Sequence, residues 1–309
     1  MTIYALPVRF VQSTVDLFGA QGQAWLDNLP AFLASLEERW QIHLQPPFEL
    51  SYNYVAPGMR ADGSEVVLKT WLVNLEMLSE MESLRLWDGH GIVRLLEHDP
   101  QSGAMLLERL RPGMTLAEIE NDSLATRIAA QVMRKLWIPA PPDPHGMLRT
   151  AQSWARGMEK LRSEFDGRTG PFPVRLVEAA ERLFADLLAS AGPLLLLHGD
   201  LHHWNILSST REPWLALDPK GLVGEAEYEP GALLRNRWPE RAGMTEIKRF
   251  NERRLAILCE VLEMDRQRLL SWSIAQAVLS AWWSYEDHHQ VDKAMFNLAE
   301  AQLEMLDRI

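Results

Sequence analysis

His198-Gly199-Asp200-Leu201-His202-His203-Trp204-Asn205, followed downstream by Leu217-Asp218-Pro219-Lys220-Gly221, is the stretch on which the reading of this chain turns. It has the form H-G-D-x-x-x-x-N, then L-D-P-K-G. Each part follows an apolar run of strand character, Leu194–Leu197 and Trp214–Leu217. Moving a phosphoryl group from ATP asks little of a protein. One carboxylate orients the acceptor hydroxyl and takes its proton, and an Asn and an Asp hold the magnesium ions that bridge the phosphates. Asp200, Asn205 and Asp218 supply those three groups in that order. Asp200 is the predicted base, Asn205 and Asp218 the predicted metal ligands, and ATP and Mg2+ the expected cofactors.

The same residues admit other readings. His198, His202 and His203 suggest a zinc cluster, since imidazole and carboxylate are common zinc ligands. A zinc site leaves the spacing of Asn205 and Asp218 unexplained, and the sole cysteine, Cys259, lies in a distant helical pattern. H-x-D alone also arises by chance. The full spacing is that of kinase catalytic and magnesium loops, and it favours a small-molecule kinase.

Composition agrees with an enzyme of that size. The 309 residues are 47% apolar and 24% charged, enough for a sizeable core and two lobes. No apolar run is long enough to span a bilayer. The first residues, Met1 to Pro7, show no basic region ahead of an apolar stretch, so no signal peptide is expected. One cysteine cannot close an internal disulfide, which fits a reducing, cytoplasmic setting. Cys259 itself reads as a small buried hydrophobe. The net charge of −11 is spread over both halves. It argues against nucleic acid, whose phosphates it would repel, and suits a cationic small-molecule acceptor, though acidity for solubility explains it equally well.

The hydrophobic pattern predicts helices first: a short one from Ser13 to Phe18 broken by Gly19 and Gly22, then one from Ala24 to Trp40 with Pro30 inside it. From Phe48 to Leu110 the pattern becomes strand-like. Strands are predicted over Phe48–Val55, Glu65–Trp71, Ile92–His98 and Ala104–Leu110, with a turn at Arg60–Ser64 and a helix from Val73 to Trp87. After Arg111-Pro112-Gly113 the chain turns mainly helical. Thr115-Leu116-Ala117-Glu118 has capping-box form. Helices are predicted near 122–137, 151–165, 173–190, 243–262, 266–286 and 291–307, strands at 194–197 and 214–217, and a proline-rich connector over Pro139–Pro144. The expected class is α+β, in two lobes: 1–111, small, with an antiparallel sheet and helices, and 112–309, larger and mainly helical.

Lys69, in V-V-L-K on a predicted strand, has the placement of a lysine that reaches the α- and β-phosphates and is held by a Glu of the next helix. Glu80 is the favoured partner, with Glu82 and Glu76 as alternatives. The glycine-rich phosphate loop usual in kinases is missing. Ser51-Tyr52-Asn53-Tyr54 stands in its place, so Ser51 is the candidate phosphate contact. Leu107–Leu110 is the expected hinge, where the backbone at Glu108 and Leu110 would meet the adenine edge. His198 is expected to brace its loop, and Lys220 to touch either a phosphate or an acidic partner. Glu225, Glu227 and Glu229 read equally as a solvated loop or as a rim that attracts cations. Trp282 and Trp283 fit a core better than a ligand platform, and Glu286 and Asp287 beside them are weaker candidates for facing a substrate.

With these residues quoted, the chain resembles the aminoglycoside 6-phosphotransferase and hydroxyurea-resistance kinase family. The resemblance rests on Leu84–Gly89 through Leu106–Gly113, on His198–Leu207, and on Leu217–Gly224 through Leu233–Asn236. It implies a two-lobed protein-kinase-like fold, ATP and Mg2+, and phosphorylation of a small-molecule hydroxyl, with D-P-K-G in place of D-F-G. Streptomycin is the first acceptor it suggests, hydroxyurea the second, and an unidentified metabolite a third. A pseudokinase that binds nucleotide without turnover and a metal-dependent hydrolase are the readings from other classes.

Overall fold

A computed structural model describes residues 6–142, 146–236 and 243–308. The chain divides into two compact units, Met1–Arg111 and Pro112–Ile309. Residues 1–5, on which the expectation of no leader segment partly rests, and Asp143 and Pro144 of the proline-rich connector lie outside the described residues.

In the first unit, helix α1 spans Val8–Trp40 and is broken at Gly19, whose φ of 54° and ψ of −131° are open to glycine alone. The expected start at Ser13 is not observed: the chain enters the helix from Pro7, whose carbonyl accepts from the Val11 N–H at 3.1 Å. Nor does Gly22 break the helix. A Cβ there would lie 2.4 Å from the Thr14 carbonyl oxygen, so this glycine lets the second segment approach the first. The helix continues through Pro30 to Trp40. Phe10, Phe18 and Trp25 converge on Trp71, with ring centroids 5.8, 5.5 and 5.1 Å from it.

The sheet of this unit is formed by β1 (Ile42–Leu44), β2 (Tyr54–Arg60), β3 (Glu65–Thr70), β4 (Leu95–Asp99) and β5 (Ala104–Glu108), in the order β1-β2-β3-β5-β4. All its pairings are antiparallel. The expected strand over Phe48–Val55 is a correction: only Tyr54 and Val55 are strand, and 45–53 connects β1 to β2. Pro46 and Pro47 lack the N–H groups a ladder needs. The apolar residues of this loop pack locally instead: Leu50 is buried, and Phe48 lies under the Arg109 guanidinium at 4.4 Å. Helix α2 (Leu75–Trp87) follows β3. The Asn74 side chain caps it by accepting from the Met77 N–H, and Asp88 ends it in a left-handed conformation.

The second unit holds two small sheets. One has the order β11-β10-β6, from β6 (Pro112–Thr115), β10 (Ile206–Ser209) and β11 (Trp214–Ala216). The other has the order β7-β9-β12-β8, from β7 (Ile138–Pro139), β8 (Arg149–Thr150), β9 (Leu195–Leu197) and β12 (Leu222–Gly224). All these strands are two to four residues long, and of them only β9 and β11, which continue apolar runs, had a clear sequence signal. The capping-box residues Thr115 and Glu118 bracket a single 3-10 turn, with Glu118 accepting from the Thr115 N–H at 2.8 Å.

The helices are α3 (Asp122–Leu136), α4 (Ala151–Ala155), α5 (Gly157–Glu164), α6 (Val174–Ala189), α7 (Gly231–Leu234), α8 (Met244–Leu262), α9 (Arg266–His288) and α10 (Lys293–Leu306). The one helix expected over 151–165 is thus two. They meet at Gly157, where a Cβ would lie 2.4 Å from Leu279 Cδ1. Helix α9 is the axis of the core: Leu269 to Leu279 are buried without interruption, and α6, α7 and α10 pack on it. A helix apolar on all sides belongs inside a larger body.

Candidate active site

The second unit's two sheets are joined by the two loops that carry the quoted motif. β9 runs into 198–205, which leads to β10; β11 runs into 217–221, which leads to β12, and β12 returns antiparallel to β9. Three hydrogen bonds stitch the loops together. The Leu217 N–H donates to the Asn205 carbonyl at 3.0 Å, the Lys220 N–H to the His198 carbonyl at 2.8 Å, and His198 Nε2 lies 2.8 Å from the Leu217 carbonyl. This brings the Asp200 and Asn205 loop against the Asp218 loop.

His198 is fully buried. Its Nδ1 accepts from the Asp200 N–H at 3.3 Å, so the proton resides on Nε2, which donates to Leu217. Both nitrogens are thereby occupied, and burial drives the imidazole down to a pKa of about 4. It is a neutral brace. Gly199 adopts a φ of +83°, and a Cβ there would crowd Leu222 at 3.0 Å and Trp154 at 3.1 Å. Glu229 holds this turn from behind: its Oε2 accepts from the His198 N–H at 2.6 Å and its Oε1 from the Gly199 N–H at 3.0 Å. Leu201, fully buried, anchors the far side.

Asp200 follows, with 26% of its side chain exposed. Its Oδ1 accepts from the Arg235 guanidinium at 3.0 Å, and its Oδ2 lies 3.7 Å from His202 Nε2. Burial pushes the carboxyl upward, but the Arg235 charge, aided by His202 and Lys220, outweighs it and holds the group below the usual carboxylate range. Asp200 is therefore ionised at neutral pH. Asn205 closes a 3-10 turn over His203–Asn205. Its Nδ2 donates to the Asp200 carbonyl at 3.0 Å, which orients the amide and leaves Oδ1 as the group available to a cation. Asp218 adopts a left-handed φ of 57°, a conformation Asp tolerates better than most residues.

In the first unit the buried Lys69, on the central strand β3, meets the buried Glu80 of α2. Lys69 Nζ lies 2.6 Å and 2.8 Å from the two carboxylate oxygens. Of the two alternatives, Glu82 pairs with Arg85 on the surface and Glu76 is exposed at the start of the helix. Ser51 lies exposed on the β1–β2 connection. Glu108 ends β5, where its N–H donates to the Arg94 carbonyl and its Oε1 accepts from the Arg94 N–H. Leu110 is buried just beyond. A cavity of about 550 Å³ in this unit, lined by Arg39, Arg60, Asp62 and Glu97 among others, contains none of the candidate residues.

Both readings of the acidic cluster are corrected for two of its three residues: Glu225 and Glu229 are buried and form neither a solvated loop nor a rim that attracts cations, while Glu227 between them is half-buried. Glu225 accepts from Arg268 at 2.7 and 2.8 Å, from the Trp272 indole, and from the Gly192 N–H at 2.9 Å. Near the C-terminus, Trp282 is buried in the core and Glu286 pairs with Lys160. Among the described residues no group of three His, Cys, Asp or Glu side chains is arranged to hold a metal, so the zinc cluster has no geometry behind it.

Arg235 and Gln276 carried no role in the sequence reading. Arg235 donates to Asp200 and, from its other nitrogen, to Gln276 Oε1 at 2.9 Å. The signal was a lone arginine ending the apolar run Gly231-Ala232-Leu233-Leu234, where a charge needs a reason.

The model of one protein family, described as aminoglycoside/hydroxyurea antibiotic resistance kinase, matches residues 43–288. The streptomycin 6-kinase of Streptomyces glaucescens is 34% identical over 298 residues, covering 96% of each chain. The hydroxyurea phosphotransferase of Kitasatospora aureofaciens is 33% identical over 296 residues, covering 92% of this chain and 82% of that protein. Among solved structures, the choline kinase LicA of Streptococcus pneumoniae superposes with a TM-score of 0.59 at 13% identity, over 90% of this chain and all of that one. At that identity the likeness speaks for the fold, and it bears out the expected protein-kinase-like architecture.

Proposed function

The chain belongs to the aminoglycoside/hydroxyurea antibiotic resistance kinase family, a family of small-molecule kinases, and from that membership we propose that it moves the γ-phosphate of ATP to a hydroxyl of a cationic small molecule, streptomycin first among the candidates. The observation that carries this reading is the pairing of the two loops, which gathers an ionised Asp200, an oriented Asn205 and Asp218.

Asp200 accepts a hydrogen bond from the acceptor hydroxyl and aims its oxygen at the γ-phosphorus. As the bond from the hydroxyl oxygen to the γ-phosphorus forms, the bond from that phosphorus to the bridging oxygen breaks, ADP leaves with the electron pair, and the hydroxyl proton passes to the Asp200 carboxylate. The transition state of phosphoryl transfer is loose and asks for little base strength, so a low pKa is no handicap; being ionised and fixed matters more. Lys69, charged and held by Glu80, binds the α- and β-phosphates. Asn205 Oδ1 and the Asp218 carboxylate are hard oxygen donors of the kind Mg2+ prefers and would hold it. When bound, Mg2+ neutralises the charge on the β- and γ-phosphate oxygens. Ser51 is the phosphate contact on the β1–β2 connection, and the backbone at Glu108 and Leu110 meets the adenine.

The hydroxyurea phosphotransferase relative supports a second acceptor, hydroxyurea, on the same machinery. Coupled ADP release with ATP and Mg2+ tests both. Streptomycin, other aminoglycosides and hydroxyurea are added one at a time, with Asp200→Ala as the blank. Stimulation by one acceptor, absent in the variant, is the expected result. ATP bound without turnover on any acceptor would move the chain to an unidentified metabolite or to the pseudokinase reading.

A further inference from the structure

A base that must point one oxygen at a hydroxyl has to be held; His198 and Asn205 hold the Asp200 backbone, and its carboxylate needs a holder of its own. It is part of a short loop after a glycine with positive φ. The 3.7 Å gap to His202 is too long for a hydrogen bond. Among the described residues, the side-chain contact to the carboxylate at hydrogen-bond length is the one from Arg235 to Oδ1, at 3.0 Å. Arg235 comes from a different part of the second unit, just past α7, and nine-tenths of its side chain is buried.

What surrounds Arg235 is built to fix it. Its other guanidinium nitrogen donates to Gln276 Oε1 at 2.9 Å. Gln276 belongs to α9, at the centre of the core, and is itself buried. Its Nε2 donates to the Tyr228 carbonyl at 2.7 Å, so the amide can present only its oxygen to Arg235. Gly231, at the start of α7, makes room for this amide: a Cβ there would lie 2.4 Å from Gln276 Oε1. The backbone is fixed as well. Arg254, fully buried, donates to the carbonyls of Leu233 at 3.1 Å and Asn236 at 2.8 Å, on either side of Arg235. Asp122 balances the Arg254 charge at 2.6 Å.

We infer that Arg235 is the positioning residue of the base, and that Gly231 of α7, Arg254 of α8 and Gln276 of the core helix α9 form a strut that fixes Arg235, and through it the Asp200 carboxylate, for the acceptor hydroxyl. This rests on the reading of Asp200 as the base. Arg235 acts through Asp200 and has no contact of its own with the reacting atoms in this scheme. A misplaced catalytic group costs about 100-fold per ångström, so loss of the strut is read in kcat.

The test uses the full chain with ATP, Mg2+ and the acceptor that stimulates turnover. Arg235→Met, Arg235→Lys, Gln276→Leu, Asp200→Asn and the double variant Asp200→Asn/Arg235→Met are compared by steady-state kinetics. Arg235→Met is expected to lower kcat about 10- to 100-fold with KM for ATP unchanged within about 3-fold. Arg235→Lys restores part of that loss, and Gln276→Leu gives a smaller loss of the same kind. The double variant is no slower than Asp200→Asn alone, because a residue acting only through Asp200 has nothing left to act on. If Arg235→Met does not fold, Gln276→Leu alone and in the Asp200→Asn background makes the same comparison. Wild-type kcat in Arg235→Met, with Asp200→Asn inactive, would overturn the positioning role and keep the base. A further multiplicative loss in the double variant would also overturn it, since Arg235 would then act elsewhere. Wild-type kcat in Asp200→Asn is a different failure: it removes the base and the inference with it.

Discussion

Lys69 and Glu80 meet inside the first unit with the lysine nitrogen within 2.8 Å of both carboxylate oxygens, and neither side chain is as much as one-tenth exposed. A pair so buried is costly to break from one side, because the remaining charge loses its partner without regaining water. Glu80→Gln is therefore expected to lower stability by about 3–5 kcal/mol. The double variant Lys69→Met/Glu80→Leu recovers most of that loss while binding ATP more weakly. Denaturant melts of the three proteins check the first point and nucleotide titration the second. A single variant as stable as the wild type would mean the pair is not isolated from solvent.

Asp218 combines an unusual backbone with a proposed ligand role, and one substitution separates the two. At a φ of 57° a glycine is at ease, so Asp218→Gly exchanges relief of strain for chain entropy and leaves stability within about 1 kcal/mol of wild type. Nucleotide affinity in this variant should no longer respond to Mg2+. Calorimetric titration of ATP with and without Mg2+ decides the matter: an unchanged magnesium effect would take the metal away from this loop.

Glu229 and His198 touch through the His198 N–H and titrate in opposite senses. Burial raises Glu229 from 4.5 to about 7, so its contribution to stability is fully present below about pH 4.5 and is lost as pH rises through 7. Burial lowers His198 from 6.5 to about 4, so its contribution is present above pH 6.5 and is lost as pH falls through 4. Each amounts to about 3 kcal/mol, and in wild type the two slopes largely cancel between pH 5 and 6.5. Glu229→Gln should expose the histidine slope and be relatively more stable at pH 7 than at pH 5. His198→Gln should expose the opposite slope. Denaturant melts at the two pH values measure both, and slopes of the same sign in the two variants would contradict the assignment.

The sequence was most legible where chemistry and periodicity coincide. Asp200, Asn205 and Asp218 lie on loops between short apolar strands, and Lys69 on a β-branched strand, so motif and pattern supported each other. The long helices of the second unit, α3, α6, α8, α9 and α10, were readable because an apolar pattern runs over three or more turns in each, whereas the four-residue α7 was too short to show one. Strands of two to four residues, such as Ile138–Pro139 and Arg149–Thr150, carry too few side chains to show a period. Phe48–Val55 misled because its apolar residues pack within a loop whose prolines cannot join a ladder. Glu225 and Glu229 misled differently. Acidic residues in a row read as surface, and only the fold reveals that Arg268, Trp272 and the backbone of His198 and Gly199 await them. Arg235 stood out only as a charge ending an apolar run, and its role was not legible because its partners lie 35 and 41 residues away.

The central claim is that Asp200 directs the γ-phosphate of ATP to a hydroxyl of a small molecule. The most direct measurement follows γ-labelled phosphate from ATP into streptomycin, with Mg2+, for wild type and for Asp200→Asn. The account predicts label in the acceptor with wild type. It predicts a rate lower by about 10²- to 10⁴-fold in the variant, with ATP bound as tightly as before. Label transferred by Asp200→Asn at the wild-type rate would contradict it.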